Sequence, residues 1–406
     1  MAKPSSNLPG QTITCLICGG EATVFHVFPR RALLNKPLPE PEPEAVADFP
    51  LGYCAGCRHV SGSYDSPLAA EARERVYREL YSRHAPTSLS DGQVRWQELV
   101  AAWLLDRAPA GGRVLEIGCH DGHLLSLLAA AGLAVEGVEP SPFADAARGR
   151  GLAVRQEFFH ADVFAAGSFD LVVLRHVLEH VPEPAAMVAD AARLLRPGGL
   201  LYVEVPNSLV SLEQRIYPEF HVDHLSYFTP ASLRFLVERS GAGRIVRLES
   251  AWAYINFPFL CCLAAIDRPT APADGAELHD FAIGRTLSGF GDRFPAYLAN
   301  VRSLPARGRL GVWGAGVMGT QFAIDGGWSE QAAWVVDPNP VNEGLRLSVS
   351  GHRVHAPATL DEVGVEHVLL ASGWEEDARR QLAEATRRAV PVHVFADLLG
   401  DTDTLG

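Results

Sequence analysis

Short apolar runs alternate with helix-period stretches through the middle of the chain. The runs that predict central strands span residues 114–117, 134–138, 169–174 and 200–205. From His123 onward the apolar residues follow a helical period, and an Arg-Pro-Gly-Gly turn at 196–199 is expected to separate the last helix from the fourth strand. Strands that alternate with helices in this way predict an α/β unit built on a parallel sheet.

The final third of the chain repeats this alternation on a smaller scale. Its predicted strands span residues 310–313, 334–336, 368–371 and 392–395. The sequence Gly-Ala-Gly-Val-Met-Gly at 314–319 follows the first of these strands, and Asp337 follows the second. This is the pattern of a dinucleotide-binding crevice. The crevice could equally hold the diphosphate of a substrate, or be a structural unit that binds nothing.

The first predicted strand of the middle unit ends in a glycine-rich turn with acidic neighbours. Gly118 allows a sharp turn at the strand's carboxyl end, and Gly122 is expected to let the backbone approach a ligand closely. Glu139 follows the second strand, at a spacing from Glu116 that suits hydrogen bonds to both hydroxyls of a ribose. These residues predict a crevice for a nucleotide-like ligand at the carboxyl end of the sheet.

The glycine turn, the ribose acid, the Phe-Asp-Leu-Val-Val strand and the Arg-Pro-Gly-Gly turn occur in an order that resembles the class I methyltransferases. The alternative is an ordinary α/β core with a structural glycine turn. The resemblance implies S-adenosylmethionine as the cofactor. It places His176 facing the methyl donor or acceptor and Phe159 at the adenine, although Phe159 could equally be core. The residues expected to bind the donor are Glu116, Gly118, His120, Asp121, Gly122, Glu139, Phe159 and His176.

Two Cys-x-x-Cys pairs precede this unit. The four cysteines are Cys15, Cys18, Cys54 and Cys57. Two such pairs can close a tetrahedral four-thiolate zinc site, which leaves no open position for catalysis and is therefore structural. Buried free thiols and a redox pair are the alternatives. The proline-rich segment 37–43 between the pairs predicts an extended loop.

The fold expected from these patterns is α/β, with a Rossmann-like class I methyltransferase domain flanked by two further units. The expected units are a zinc-binding module at 11–65, the methyltransferase domain at 66–245 and a Rossmann-like substrate-binding domain at 246–406. A helical bridge is expected at 66–108. In that bridge Tyr77, Tyr81 and His84 could line the mouth of the active site or simply pack.

The most polar and aromatic segment of the chain lies at 220–229, after the fourth strand. Thr229 and Pro230 predict a helix start there, so that the preceding residues form a loop at the carboxyl end of the sheet. The candidate catalytic residues in this loop are His221, Asp223 and His224. They could be a general base with its orienting groups, a metal triad or a satisfied structural network. We favour acid–base chemistry, because a metal triad this close in sequence needs a tight loop.

Composition narrows the classes of partner. The chain has 406 residues and a formal net charge of −13, which argues against a nucleic-acid substrate because phosphate binding needs a basic surface. We find no signal peptide and no apolar run that would span a membrane, so a cytoplasmic protein without membrane contact is expected. Its seven cysteines are then expected to be reduced thiols or metal ligands rather than disulfides.

Taken together, the cysteine pairs, the Glu-Ile-Gly-Cys-His-Asp-Gly turn, the His-Val-Asp-His-Leu-Ser-Tyr-Phe loop and the C-terminal glycine turn resemble the three-domain sugar C-methyltransferases. The resemblance covers nearly the whole chain. Those enzymes act on nucleotide-linked 4-keto-deoxysugars in antibiotic biosynthesis. The resemblance implies that His224 is the general base, that Asp223 stands in place of a glutamate, and that His221 stands in place of a tyrosine. His180 is expected to be a hydrogen-bonded structural histidine.

The sequence departs from that family at several positions. His120 replaces the asparagine of the glycine turn. The lysine after the second glycine turn and two later elements, Lys-x-Gly and Pro-Gly-Thr-His, are absent. The segments found instead are 317–319, 342–344 and 350–352. These departures leave open the sugar, its nucleotide and whether the acceptor is a nucleotide sugar.

The expected reaction is proton removal beside a ketone followed by methylation of carbon. A histidine with a near-neutral pKa can remove such a proton, and His221 or Tyr227 could stabilise the enolate. The alternatives are O- or N-methylation of a small metabolite, a nicotinamide oxidoreductase that uses the second glycine turn, and a non-enzymatic scaffold. The small-molecule acceptor is expected to be a nucleotide sugar, and the protein a monomer or homodimer.

Overall fold

The computed structural model describes residues 9–63, 71–72, 75–76, 91–251, 258–266, 283–373, 375–387 and 389–399. The residues Tyr77, Tyr81 and His84, together with the rest of segment 77–90 of the predicted helical bridge, lie outside these ranges. The described residues form three sheets, and the one in the middle carries most of the candidate site. Within these ranges we find no helix with the length and apolar character needed to cross a membrane.

The N-terminal sheet is antiparallel and takes its last strand from much later in the chain. Its strands are β1 (Thr12–Thr14), β2 (Glu21–Ala32), β3 (Val46–Cys54), β4 (His59–Gly62) and β10 (Ser226–Tyr227), in that spatial order. The β10 strand pairs with β4, so the segment that follows His224 is part of this sheet. The predicted proline-rich loop connects β2 to β3, as expected from its sequence.

The middle sheet has seven strands, of which five are parallel. The strands are β5 (Arg113–Ile117), β6 (Ala134–Val138), β7 (Ala153–Arg155), β8 (Phe169–Arg175), β9 (Leu195–Pro206), β11 (Arg244–Ala251) and β12 (Phe259–Ala265). Their spatial order is β11-β12-β9-β8-β5-β6-β7, and β12 runs antiparallel to both of its neighbours, β11 and β9. The strands predicted at 114–117, 134–138, 169–174 and 200–205 are all present.

Two details of the middle sheet differ from the sequence prediction. The Arg-Pro-Gly-Gly segment lies inside β9, where the register against β8 shifts between Phe169 and Leu171. It is therefore an irregularity in a strand and not a turn before one. The sheet also continues to Ala265, beyond the boundary predicted at 245, because the apolar strand β12 pairs along the edge of β9.

Helices connect and cover these strands. They are α1 (Asp91–Leu105), α2 (His123–Ala130), α3 (Phe143–Gly149), α4 (Pro184–Arg193), α5 (Ser208–Glu213) and α6 (Pro230–Arg239). The predicted start of α6 is confirmed: the Thr229 hydroxyl accepts from the Ser232 amide, and the Ser232 hydroxyl accepts from the Thr229 amide. Strand β8 is buried along almost its whole length, as expected for a central parallel strand.

The C-terminal sheet is parallel and smaller. Its strands are β13 (Leu310–Trp313), β14 (Ala333–Val336), β15 (Val354–His355), β16 (His367–Leu370) and β17 (Val392–His393), in the spatial order β15-β14-β13-β16-β17. The helices of this part are α7 (Ile283–Ser288), α8 (Phe294–Ser303), α9 (Val317–Gly326), α10 (Thr359–Glu362) and α11 (Glu375–Ala385). The Rossmann-like pattern predicted for this unit is thus present.

The N-terminal sheet is joined to both other units by polar contacts. The fully buried Arg31 donates to the Asp325 carboxylate at 3.4 Å and to the Tyr217 carbonyl at 3.1 Å. The proline-rich loop pairs with the C-terminal unit, since Leu38 and Arg346 exchange backbone hydrogen bonds of 2.7 Å. These contacts hold the loop that carries Asn35 and Lys36 close to the other two units.

Candidate active site

A cavity of about 700 Å³ opens at the carboxyl ends of β5, β6 and β8. This size suits a small-molecule ligand. Seven of the eight predicted donor-binding residues line it, namely Glu116, Gly118, His120, Asp121, Glu139, Phe159 and His176. Helix α1 contributes Gln93, Trp96 and Gln97, and Phe259 contributes from β12.

The eighth residue, Gly122, has a different role from the one predicted. It does not line the cavity, and a Cβ at this position would lie 2.5 Å from Leu152 and 2.9 Å from Ala147. Its φ of 74° also places it in the left-handed region that favours glycine. Gly122 therefore lets the start of α2 pack closely against its neighbours, and it is Gly118, with a φ of 75°, that shapes the cavity wall.

The Glu139 carboxylate is fixed by two backbone amides. One oxygen accepts from the His120 amide and the other from the Ser141 amide, both at 2.9 Å. Each carboxylate oxygen can accept a further hydrogen bond. The carboxylate is thus held rigidly at the cavity wall while keeping the capacity to accept from two hydroxyls. This is the arrangement that a ribose would need.

The neighbouring turn residues are also held in place. The Asp121 carboxylate pairs with Arg150 at 2.8 Å, and the His120 ring stacks on Phe143 with centroids 3.7 Å apart. Asp121 also accepts from the amide of His123 at 3.2 Å. Three surrounding groups therefore fix the orientation of two side chains that border the cavity.

A buried charge network lies beneath the cavity. The Glu204 carboxylate, which is fully buried, accepts from Arg175 at 3.1 Å, from Trp96 at 3.0 Å and from Tyr202 at 2.8 Å. His176 Nε2 lies 2.9 Å from the same carboxylate. Although burial opposes it, the positive charge of Arg175 lowers the pKa of Glu204 well below its usual range. Glu204 is therefore an anion that orders the cavity floor.

Glu116 behaves differently from Glu204. Burial raises the pKa of Glu116 to about 8, and the Arg175 guanidinium 3.9 Å away opposes this only in part. Its Oε2 atom accepts no hydrogen bond from any described residue. Burial thus favours the protonated form of Glu116. Its unpaired oxygen fits a ligand that brings a hydrogen-bond donor or a positive charge.

The predicted catalytic residues His221, Asp223 and His224 lie together, but none of them lines the cavity. The histidine next to them that reaches the cavity wall is His180, which lines the cavity together with His120 and His176. Its Nδ1 donates to the Asp223 carbonyl at 2.9 Å and lies 3.6 Å from the Asp223 carboxylate. His180 was expected to be purely structural. The structure places it at the cavity, in front of the predicted catalytic residues.

The three histidines of this cluster differ in charge. The ring centroids of His180 and His224 are 4.7 Å apart, and those of His224 and His221 are 4.1 Å apart. Although burial alone would lower it, the Asp223 carboxylate raises the pKa of His180 to about 9. Burial lowers the pKa of His221 to about 4 and that of His224 well below its usual value. One imidazolium thus faces the cavity, with two neutral imidazoles behind it.

The four predicted cysteine ligands also converge. The sulfur atoms of Cys15 and Cys57 are 3.4 Å apart and those of Cys18 and Cys54 are 3.6 Å apart. All four lie within 4.8 Å of one another. Sulfur atoms on one tetrahedral zinc ion, with bonds of about 2.3 Å, lie about 3.8 Å apart. The cluster therefore fits a closed four-thiolate metal site.

The C-terminal glycine turn repeats the arrangement found at Glu139. The Asp337 carboxylate accepts from the Ala315 amide at 2.7 Å and from the Asn339 amide at 2.9 Å. A Cβ on Gly316 would meet nothing within 4 Å, whereas one on Gly319 would lie 1.9 Å from the carbonyl of Gly314. The turn thus combines close packing of α9 with open space above its middle glycine.

Comparison with known proteins gives a consistent result for the middle of the chain. Residues 88–243 match the family model described as a methyltransferase domain. The ubiquinone biosynthesis O-methyltransferase of Thiobacillus denitrificans is 34% identical over 158 residues, covering 34% of this chain and 68% of that protein. The chain belongs to the S-adenosylmethionine-dependent methyltransferases.

Further proteins are similar to this methyltransferase. The ubiquinone biosynthesis O-methyltransferase of Ralstonia nicotianae is 35% identical over 162 residues, covering 37% of this chain and 68% of that protein. A solved structure, the magnesium protoporphyrin IX methyltransferase of Synechocystis with bound S-adenosylhomocysteine, is 19% identical. The match covers 48% of this chain and 99% of that one, with a TM-score of 0.39.

Three residues of the methyltransferase site were missed in the sequence. Arg175 and Glu204 end neighbouring parallel strands, and a charged residue in that position could have been noticed. Glu179 lies in the turn after β8 and is buried, with 1% of its surface exposed. Its contacts with His176 and His180 depend on how the turn folds. No local sequence pattern indicates those contacts.

Proposed function

We propose that this methyltransferase methylates the carbon next to the ketone of a nucleotide-linked deoxysugar. The observation that supports this most is the second crevice, in which Asp337 is held by two amides just as Glu139 is. A methyl donor needs one such crevice. The second one suits the nucleotide portion of an acceptor, with the glycine turn at its diphosphate.

The second crevice is electrostatically connected to the histidine cluster. Burial lowers the pKa of Lys36, and the carboxylates of Asp223 and Asp337 both oppose this shift by favouring its ammonium form. Asn35 donates to the Asp223 carboxylate at 3.4 Å. An acceptor whose nucleotide lies at Asp337 could therefore extend along Lys36 toward the histidines. The positive charge of Lys36 would complement its diphosphate.

The histidine cluster provides the groups that carbon methylation requires. We assign proton removal to His224, which is neutral and has an imidazole nitrogen able to accept a proton. The His180 imidazolium, held by Asp223, would stabilise the enolate oxygen. His221 would complete the cluster as a second neutral imidazole.

The donor is assigned to the cavity at the middle sheet. Glu139 would bind the ribose hydroxyls, and the cavity wall formed by Gly118, His120 and Phe159 would enclose the nucleoside. Glu116 and the network under His176 would border the reacting end. Bound S-adenosylmethionine supplies a methyl group already activated on its sulfonium.

We assign a structural zinc ion to the four-cysteine cluster. Because four thiolates fill every position of a tetrahedral ion, no position is left for a substrate. The ion would fix the turn that carries Cys54 and Cys57, directly before β4. Strand β4 pairs with β10, the strand that follows His224. We therefore place zinc in folding and in positioning the histidine loop, and not in the reaction.

The proposal is tested by product analysis. The protein is incubated with S-adenosylmethionine that carries a ¹³C-labelled methyl group and with a panel of nucleotide-linked 4-keto-deoxysugars. The expected product shows the labelled methyl bonded to carbon, with its carbon shift and proton coupling in the range of a C-methyl group. A label found only on oxygen or nitrogen, or no transfer to any keto sugar, would contradict the proposal.

O-methylation of a small molecule is the second candidate. It is favoured by the relatives from Thiobacillus denitrificans and Ralstonia nicotianae, both of which are O-methyltransferases. Their similarity covers 34% and 37% of this chain. In this case His224 would take the proton of a hydroxyl group. The same labelled product distinguishes the two reactions.

A further inference from the structure

Three side chains from two separate segments converge beside the donor cavity, and one of them, His180, reaches its wall. Glu179 and His180 lie in the turn after β8, and His224 lies in the loop before β10. Each offers one ligand atom, and the three atoms lie within 4.8 Å of one another. Ligand atoms on one cation, with bonds near 2.1 Å, lie about 3–4 Å apart. Side-chain shifts of about 1 Å would therefore bring all three onto one ion.

Glu179 is a buried carboxylate with unused capacity. Only 1% of its surface is exposed. Its Oε1 atom lies 3.4 Å from His176 Nδ1 and 4.0 Å from His180 Nε2, while its Oε2 atom accepts no hydrogen bond from any described residue. A buried carboxylate oxygen without a partner is costly unless it meets a positive charge. A cation at this position would satisfy it.

His180 is oriented in the way that metal-bound histidines usually are. Its Nδ1 donates to the Asp223 carbonyl at 2.9 Å. This hydrogen bond fixes the ring and directs Nε2 toward Glu179. A histidine that binds a metal through one nitrogen commonly donates the other N–H to a carbonyl or carboxylate. Asp223 supplies both kinds of group.

The two segments are also fixed to each other. The Glu179 carbonyl accepts from the Leu225 amide at 2.7 Å and from the Ser226 amide at 3.1 Å. His224 is the residue immediately before Leu225, so it lies next to this backbone contact with the other ligand segment. A site of this kind is set by the fold and does not depend on a mobile side chain.

We propose that Glu179, His180 and His224 bind a divalent transition-metal cation at the wall of the donor cavity. The donor set of one carboxylate and two imidazoles suits Zn²⁺ or Mn²⁺. Three protein ligands leave coordination positions open, and His180 places the site next to the cavity that it lines. This site differs from the triad of His221, Asp223 and His224 considered from the sequence. Asp223 is a partner of a ligand here, and Glu179 takes the third position.

The site deepens the proposed function and rests on it in one respect, the position of the acceptor beside the histidine cluster. The open coordination positions would hold the oxygen of the acceptor's ketone or hydroxyl group. The bound cation would thereby lower the pKa of the acceptor group that loses the proton. His224 would then be a ligand, in place of the role as base assigned to it above. The imidazole of His221, whose ring lies 4.1 Å from that of His224, would be the group to accept the proton.

The test is metal binding by the full chain, measured without reference to turnover. The purified protein, with zinc already in its four-cysteine cluster, is titrated with Mn²⁺ and followed by EPR, since Mn²⁺ prefers nitrogen and oxygen ligands to thiolates. One Mn²⁺ per chain is expected, with nitrogen couplings from histidine in the pulsed EPR spectrum. No binding, or a bound Mn²⁺ without nitrogen couplings, would overturn the proposal.

Variants identify the ligands. Glu179→Gln and His180→Ala are expected to weaken Mn²⁺ binding at least about 100-fold, since loss of a partner outside the ligand shell already weakens binding about 10–100-fold. Glu183→Gln and His160→Ala, which change exposed residues outside the cluster, should bind Mn²⁺ like the wild type. Calorimetry with S-adenosylhomocysteine verifies that each variant is folded. Unchanged Mn²⁺ affinity in folded Glu179→Gln would remove Glu179 from the site.

The result is separable from the test of the proposed function. If a methylated keto sugar forms in protein that binds no Mn²⁺, the metal site is wrong and the proposed reaction stands. If Mn²⁺ binds with nitrogen couplings but the label appears on oxygen, the metal site stands and carbon methylation is wrong.

Discussion

Individual carboxylates of this methyltransferase have different hydrogen-bond surroundings. Glu139 is held by two amides at the cavity wall, Glu204 is surrounded by four donors, and Glu116 lies buried with one oxygen unpaired. The three residues have the same side-chain chemistry. They differ in how many hydrogen-bond donors the fold places around each carboxylate.

We expect Glu139→Ala to weaken donor binding. The change removes two hydrogen bonds from a charged group to the ribose, each contributing roughly 1.5–3 kcal/mol. The affinity for S-adenosylhomocysteine, measured by calorimetry, should fall at least about tenfold. Glu136→Ala is the matched control, because Glu136 lies on the same strand but pairs with Arg113 on the surface. Unchanged affinity in Glu139→Ala would contradict the assignment of the donor pocket.

We expect His224→Ala to lose turnover while keeping donor affinity. General acid–base catalysis contributes about 10²–10⁴-fold, so kcat should fall by that factor. If the acceptor is a ketone, the variant should also stop exchanging the acceptor's α-proton with deuterated solvent. Full turnover in this variant would place the base elsewhere. Lost turnover with intact exchange would mean that His224 positions the acceptor.

We expect Glu116 to make stability depend on pH. Its folded-state pKa of about 8 is raised above the usual glutamate value of 4.5, so its contribution is present at low pH and is lost as pH rises toward 8. Glu116→Gln mimics the protonated form. Its free energy of unfolding, measured in urea, should therefore fall less between pH 5 and 8 than that of the wild type. Parallel curves for the two proteins would show that Glu116 is ionised when folded.

At the scale of elements, the histidine loop is held by two neighbours that belong to different units. Strand β10 pairs with β4, where Tyr227 lies opposite Val60 and Ser226 opposite Ser61. On its other side, the loop donates two amides to the carbonyl of Glu179. The candidate catalytic loop is therefore positioned by the N-terminal sheet as well as by the sheet that carries the donor cavity.

We expect the loss of a cysteine ligand to lower the stability of the protein. Cys57→Ser should lower the zinc content and the melting temperature, because metal-binding energy is folding energy in a closed thiolate site. Cys262→Ala is the control, since Cys262 is a buried thiol in β12 outside the cluster. It should keep the wild-type zinc content. Well under one zinc per chain in wild-type protein, with no loss of stability on chelation, would refute the assignment.

At the scale of the whole molecule, three sheets meet around the segment that connects β2 to β3. Arg31 contacts Asp325 and the carbonyl of Tyr217, and Asn35 contacts Asp223. Lys36 lies near Asp223 and Asp337. One short segment of the N-terminal unit therefore contacts both units that carry glycine turns.

We expect Asp337→Ala to weaken binding of a nucleoside diphosphate without changing the affinity for S-adenosylhomocysteine. The side chain would lose its hydrogen bonds to the acceptor's ribose, while the donor cavity lies in another sheet. Glu343→Ala, at an exposed position, is the control. Titration with thymidine and uridine diphosphates, and with NADH, measures the effect. Tight NADH binding that depends on Asp337 would favour a dinucleotide in this crevice.

Several features of this protein follow from local sequence. The apolar runs placed the strands of the two parallel sheets, the cysteine pairs predicted the four-sulfur cluster, and Thr229 with Pro230 predicted the start of α6. The glycine turns, together with the acidic residue that follows the second strand of each unit, predicted both crevices. These patterns are readable because periodicity, turn geometry and capping depend on residues a few positions apart.

Tertiary structure decided which residues meet at the site. It brought His180 to the cavity in front of His221 and His224, gave Gly122 a packing role, and added β12 to the middle sheet. It also set the charges, since the pKa values of His180 and Glu116 depend on burial and on partners far away in the chain. Such contacts join residues of distant segments. No local sequence pattern predicts these contacts. Their energies arise only when the packed fold removes water from the side chains and fixes the distances between them.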